Sequence, residues 1–502
     1  MKRIISFMLT AIFIASIPFG MLACKKKEDD KIVIYVDGGG GNGNFNTTVS
    51  MDKTPENPYP YNTLEKLAGE YMANHPDVTI IINKQSLNSD REAITSLLAA
   101  EEAPHLLFMQ SPDPVTDAKN GWIVDLSKYI EQPNQYCAEG TLGSAKWKDI
   151  YNEKEFLATT RMTDGKCYSV CLEKIPIGIL YNKDMFEAAG LVDEEGNIVT
   201  PDTFGDLLEY QEIIYTKLNK NPYFPIYTWY DIVLEVSVFA DLFDDMDTID
   251  ENGFISLEEL VRAYSNGTWG ISSTPTTEAE KRYREYIRLL KKKTEFYPKA
   301  WSSYDALEEF LKGNVAMIEA TGGYMAQAAN DETKDFEVGV FGFPTLSADD
   351  SIYGGKGVYR GSAGLTTGYF VTNTAVADGQ ATVDACVDFL KFLTAPQNNN
   401  RLINDLGLGL PLSADAEINP LFQPLMAVYQ QDCQDPNRYD WNTFNSWNSF
   451  NKLYYDTFLI TTQGYQMGKY DIDETLDIIS RATKTAIDKA MNDNGWTKDT
   501  WK

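Results

Sequence analysis

The sequence predicts an α/β protein built as two lobes, and three observations lead there. Its 502 residues exceed what a single hydrophobic core serves, so two units are expected. Strand-like and helix-like runs alternate through the first part of the chain, the order that builds a mostly parallel sheet between helices. After a less regular connector at residues 137–163, a strand–cap–helix succession returns at Gly178–Leu208 and starts a second unit. Hydrophobic residues at 43% and aromatic residues at 12% fit a chain with ample core. The formal net charge of −29 argues against nucleic acid, which needs a basic footprint, and against anionic substrates gathered by a positive field. A solvated acidic surface accounts for it.

The first segment is read separately from the fold. Lys2 and Arg3 precede an apolar run without charges, and Met21-Leu22-Ala23 then sets small Ala23 directly before Cys24. This resembles a lipoprotein signal cleaved so that Cys24 becomes the lipidated first residue. An uncleaved anchor helix is the alternative, because the run is about long enough to span a bilayer. Beyond Cys24 lie Cys137, Cys167, Cys171, Cys386 and Cys433, an odd number that cannot all pair within the chain. Cys167 and Cys171 stand four apart in an extended-looking stretch, about 13 Å from each other, which favours free thiols there.

In order, residues 31–37 (KIVIYVD) read as a strand by their Ile, Val and Tyr content. Gly38, Gly40 and Gly43 then fit the spacing G-x-G-x-x-G, but Pro55, Pro58 and Pro60 separate them from the helix that starts near Asn62. A dinucleotide site needs the helix to open at the glycines, so a loop is the better reading. Residues 78–85 form a second strand and 90–103 a helix with an apolar stripe. Next come a strand and loop in APHLLFMQSPDP (103–114), then GWIVDLSKYI (121–130). At Gly178–Leu208, Asn182-Lys183-Asp184 can cap the helix DMFEAAG and Gly190 ends it. Asp193–Asn197 makes an acidic turn, and Pro201-Asp202-Thr203 opens the next helix. Residues 277–296 form a helix with Lys291–Lys293 near its C-terminal end, where cations suit the macrodipole.

Four motifs in order carry a family resemblance over residues 103–413. They are the APHLLF strand, with His105 where the pattern has Asp, and the strand–NKD–FEAAGL–P-D-T-F-x-D-L run. The third is Phe310, Gly313, Ala316, Met317, Gly322, Gly323 and Tyr324; the fourth is the FLKFLT helix at 389–394. Together they resemble the family 1 extracellular solute-binding proteins, the sugar-binding partners of ABC importers. The resemblance implies a two-lobed periplasmic-binding-protein-like fold with a hinge and an interlobe ligand cleft. Lobe one would be 32–172 plus 365–413 and lobe two 173–364 plus 414–502, behind a signal peptide at 1–23 and a tether at 24–31. It also implies a monomer, held to the membrane by the lipid on Cys24. Closed on a carbohydrate, most simply an oligosaccharide, it would hand it to permease subunits outside the cytoplasm.

A sugar cleft needs aromatic faces against the pyranose ring and planar polar groups for its hydroxyls. Tyr324 is the first candidate, because the family places a stacking aromatic after that glycine. Trp229, Tyr230, Trp441 and Trp447 come from the aromatic-rich stretches, and Gln110, Asp113, Asp231 and Arg360 are the polar candidates. Each is equally well read as a core or surface residue.

Thr248–Glu259 has part of the pattern of a calcium loop. With Gly253 at position 6, Asp250, Asn252 and Glu259 take positions 3, 5 and 12, but Thr248 replaces the first carboxylate. An acidic turn ahead of a helix from Ser256 is preferred, so no cofactor is expected and calcium is the secondary reading. Catalysis finds little support: there is no G-x-S-x-G, H-E-x-x-H or P-loop. An extracytoplasmic glycoside hydrolase, or a carbohydrate-binding surface lipoprotein outside transport, is the alternative.

Overall fold

Two sheets, each with its own core, divide the chain. The computed structural model describes residues 31–38, 63–83, 90–109, 114–151, 156, 166–225, 229–249, 255–298, 301–356, 363–365, 368–407, 409–413, 416–432 and 452–501. The N-terminal leader with Cys24, and Cys433, lie outside the described residues.

The first sheet has the strand order β2-β1-β3-β10-β4. Strand β1 (Ile32–Asp37) runs parallel to β2 (Val78–Asn83), in register from Ile32↔Val78 to Asp37↔Asn83, and parallel to β3 (Leu106–Phe108). Strand β10 (Tyr369–Val371) lies antiparallel between β3 and β4 (Ser169–Val170). Side chains alternate across this sheet as a period of two demands. Leu106 and Phe108 join Ile34, Val36, Leu67, Phe389 and Leu402 on one face; Leu107 and Phe370 join Ile94 and Leu98 on the other.

The second sheet is mixed. Strand β5 (Lys174–Asn182) is central and antiparallel to β7 (Val315–Thr321), β8 (Val338–Phe341) and β9 (Ala363–Leu365), while β6 (Asn221–Pro225) runs parallel to β7. All nine residues of β5 and all seven of β7 are buried, as befits strands covered on both faces. Their core takes in Phe186, Phe239, Leu290 and Phe343, and also Leu425, Phe458 and Leu476 from the C-terminal helices.

Local chemistry sets the helix ends. Asn182 accepts from the Met185 amide, and Gly190 closes that helix at φ 77°. Thr203 with Asp206 and Thr277 with Glu280 form capping boxes. Asp193 accepts from the Glu195 and Asn197 amides and so shapes the acidic turn. The helix Glu278–Lys293 departs from its expected dipole chemistry at one residue: Lys293 is buried in an ion cluster, while Lys291 donates to the Tyr465 carbonyl. His105 is also buried. Its Nδ1 accepts from the Tyr35 amide at 3.2 Å and its Nε2 lies 3.1 Å from Asp378 Oδ2. Cys137, Cys167, Cys171 and Cys386 are not joined in disulfides, and burial pushes Cys167 up to about 12.

Candidate functional site

The chain passes between the two sheets at three places, and these passages locate the cleft. The first joins Val170 of β4 to Lys174 of β5, so that Leu172 belongs to the first core and Ile175 to the second. The second runs from Leu365 of β9 to Tyr369 of β10. The third follows the helix Pro396–Leu406, placing Leu410 in the second core and Leu412 in the first. Backbone bonds tie the passages together: Lys174 and Leu410 exchange two at 2.9 Å each, and Lys174 pairs with Leu365. Asn399 spans the other side, donating to the Leu172 carbonyl at 2.6 Å and accepting from the Leu412 amide at 2.9 Å.

Both sheets bring the C-terminal ends of parallel strands to this junction, where open α/β sheets hold their ligands. On the first lobe these ends are Asp37, Asn83 and Met109. Tyr369 pairs with Phe108 and Val170, and its buried hydroxyl donates to the Asp37 carbonyl at 2.7 Å, locking β1 to the passages. On the second lobe, Thr321 at the end of β7 pairs with Ile177, four residues from Glu173, and Pro225 of β6 pairs with Glu319. The helices Gly322–Asn330 and Trp229–Phe239 therefore start beside the cleft.

Tyr324 stands in the first turn of Gly322–Asn330, half-buried against the second core. Tyr230 is fully buried instead. Its ring stacks on Phe343 with centroids 4.8 Å apart and its hydroxyl donates to the Pro344 carbonyl, leaving no face for a ligand. Asp231 is buried beside it and pairs with Lys293, which also reaches Glu319 at 2.8 Å. Tyr223 donates to Glu319 Oε1 at 2.8 Å and the Tyr230 amide to Oε2 at 3.1 Å. Burial lifts the Asp231 and Glu319 carboxyls against the pull of Lys293; burial also opposes the lysine's charge, but the two acids outweigh it and hold it protonated. Trp229 opens the same helix, with its side chain outside the described residues. Gln110, Asp113, Arg360, Trp441 and Trp447 also lie outside them.

Of the calcium-loop candidates, Asp250 and Asn252 lie outside the described residues. Glu259 is buried and closes the turn itself: Oε1 accepts from the Ile249 amide, and Oε2 from the Ser256 amide and hydroxyl. Its oxygens thus serve the cap of the helix Leu257–Asn266.

Glu173 escaped the sequence reading. It sits in the first passage, 5% exposed, with neither carboxylate oxygen hydrogen-bonded among the described residues, and burial pushes its carboxyl up to about 8. Glu319 escaped as well. A charge set within an apolar run, alone in VAMIEAT and beside Lys174 in VCLEKIPI, was the signal for both.

A sequence model described as bacterial extracellular solute-binding protein matches residues 66–428. No curated protein matches the chain in sequence. Among solved structures, a family 1 extracellular solute-binding protein from Bifidobacterium longum subsp. infantis is similar at 15% identity and a TM-score of 0.58, over 91% of this chain and 100% of that one. The cyclo/maltodextrin-binding protein complexed with maltotetraose gives 14%, 0.61, 92% and 99%. RafE in complex with raffinose gives 14%, 0.56, 91% and 100%. At such identities these likenesses speak for the fold, which is that of two-domain solute-binding proteins. The family match spans well over half of the chain, and with it the chain belongs to the bacterial extracellular solute-binding proteins.

Proposed function

We propose that this protein is the substrate-capturing component of an ABC importer, anchored outside the cytoplasm by a lipid on Cys24, and that it closes on a carbohydrate of oligosaccharide size. The observation that carries the reading is the pair of strand-end surfaces meeting at three hydrogen-bonded passages, with Tyr324 in the first turn of the helix that follows β7. Such a junction lets one lobe rotate on the other. A ligand touching both lobes favours the closed state in proportion to its differential affinity. The closed form then presents a new surface to a permease. The sugars named for RafE and for the maltodextrin-binding protein support the ligand class.

The test is a thermal-shift screen of the chain from residue 25 against an oligosaccharide panel, with and without calcium. A sugar that binds only the native state raises the melting temperature in step with ln(1 + [L]/Kd). Saturable stabilisation, with the sugar recovered intact, supports capture. Cleavage of the sugar points to the hydrolase, and no shift with any glycan removes the carbohydrate assignment.

A further inference from the structure

Glu173 lies between two fixed ties. On one side Asn399 bridges Leu172 to Leu412; on the other, Lys174 is bonded to Leu410. Glu173 is thus the residue of the first passage that stands between the tie to the first lobe and the tie to the second. Gly409 of the third passage lies directly against this side chain, so closely that a Cβ there would collide with Glu173 Oε2. The carboxyl is shut between passages rather than directed at a partner.

Among the described residues, the groups around it offer no compensation for a charge. Gly409 brings none. The first sheet brings Tyr369, whose hydroxyl is spent on Asp37, and behind it the Asp37 carboxylate, which is of like sign. The neighbouring Lys174 ammonium lies over the ring of Tyr429, 4.5 Å from its centroid, on the helix Gln423–Asp432. Tyr151 donates to the Cys171 carbonyl and so fixes the entry to the passage. An ionised, unpaired carboxylate buried in such a place is strongly disfavoured and must reach water or take a proton. The hinge is the element that can give it water.

We propose that Glu173 is a proton-operated latch on the hinge: with its proton on, the side chain stays enclosed between the first and third passages, and loss of the proton parts the passages and opens the lobes. The burial that lifts this carboxyl to about 8 sets the upper end of the window in mildly alkaline solution. The latch rests on the fold alone and holds whatever the ligand proves to be.

Small-angle X-ray scattering of the ligand-free chain from residue 25, which keeps every described residue, tests it between about pH 6 and about pH 9.5. The radius of gyration of the wild-type chain is expected to rise with pH, with a midpoint no higher than the enclosed carboxyl's value of about 8, and that of Glu173→Gln to stay at the low-pH value throughout. Gly409→Ala, whose methyl crowds the enclosed carboxyl, is expected to move the rise to lower pH than in the wild-type chain. A wild-type curve that stays flat overturns the latch whatever the variants do. A rise that persists in a folded Glu173→Gln assigns the opening to another group and also overturns it.

Discussion

Lys293 Nζ lies 2.8 Å from Glu319 Oε1 in the core of the second lobe, with Asp231 as the ammonium's other partner and the rings of Tyr230 and Tyr223 5.6 and 6.0 Å away. The cluster joins the end of the helix Glu278–Lys293 to β7 and to the start of the helix Trp229–Phe239, so it fixes the surface on which the cleft rests. Removing the cation leaves two buried acids uncompensated. Lys293→Met is expected to lower unfolding stability by ~3–5 kcal/mol in urea titration. A variant that also replaces both acids with amides should recover much of this; equal loss in both would mean that packing, not charge, holds the site.

His105 carries a pH signature. Burial holds its imidazole below the ordinary histidine range, against the opposing pull of Asp378. The unfolded chain then binds the proton more tightly than the folded one. The stability from this residue is fully present above the unfolded value of about 6.5 and is lost as pH falls below it. His105→Asn keeps an acceptor for the Tyr35 amide but does not titrate. It should be less stable than wild type by ~1–3 kcal/mol near neutrality, with the gap narrowing as the solution is acidified. A gap that is constant with pH would show that the ring is not charging.

What could be read from the sequence was local. Asn182, Thr203 and Thr277 act as caps through neighbours three residues away, so residue type and spacing suffice to find them. Tyr230 shows where this ends. Its aromatic neighbourhood made it a ligand candidate, but Phe343 covers it, and that contact joins positions 113 apart in the chain. Asp231 likewise answers to Lys293, 62 residues on. Burial belongs to the packed molecule, and a tyrosine in a core and one in a cleft look alike in a string of letters.

Gly368 is the point at which the second passage crosses the first. A Cβ there would strike the Val170 carbonyl and crowd the Cys171 amide, both backbone and unable to swing aside. Gly368→Ala should therefore destabilise the chain by ~1–3 kcal/mol. Gly69, inside the helix Thr63–Asn74 and with open space around it, is the matched control. Gly69→Ala is expected to be neutral or to stabilise by ~0.5–1 kcal/mol, since alanine lowers the entropy lost on forming a helix. Equal melting temperatures for the two variants would mean that the crossing is looser than its backbone contacts indicate.

Tyr324 is the described aromatic candidate that keeps some exposure, and packing and ligand stacking are two roles that an experiment can separate. Part of the ring packs on the core of the second lobe, so Tyr324→Ala should melt lower than wild type even without ligand. If the remaining face stacks on a sugar, the ligand-induced shift should shrink as well, with affinity falling roughly tenfold, or ~1.4 kcal/mol. Tyr324→Phe retains the face and the packing and should keep most of both, apart from whatever the hydroxyl contributes. Calorimetric titration of the three proteins with a sugar found in the screen distinguishes these effects. An alanine variant that melts lower yet binds unchanged would confine Tyr324 to the core and move the stacking role to another residue.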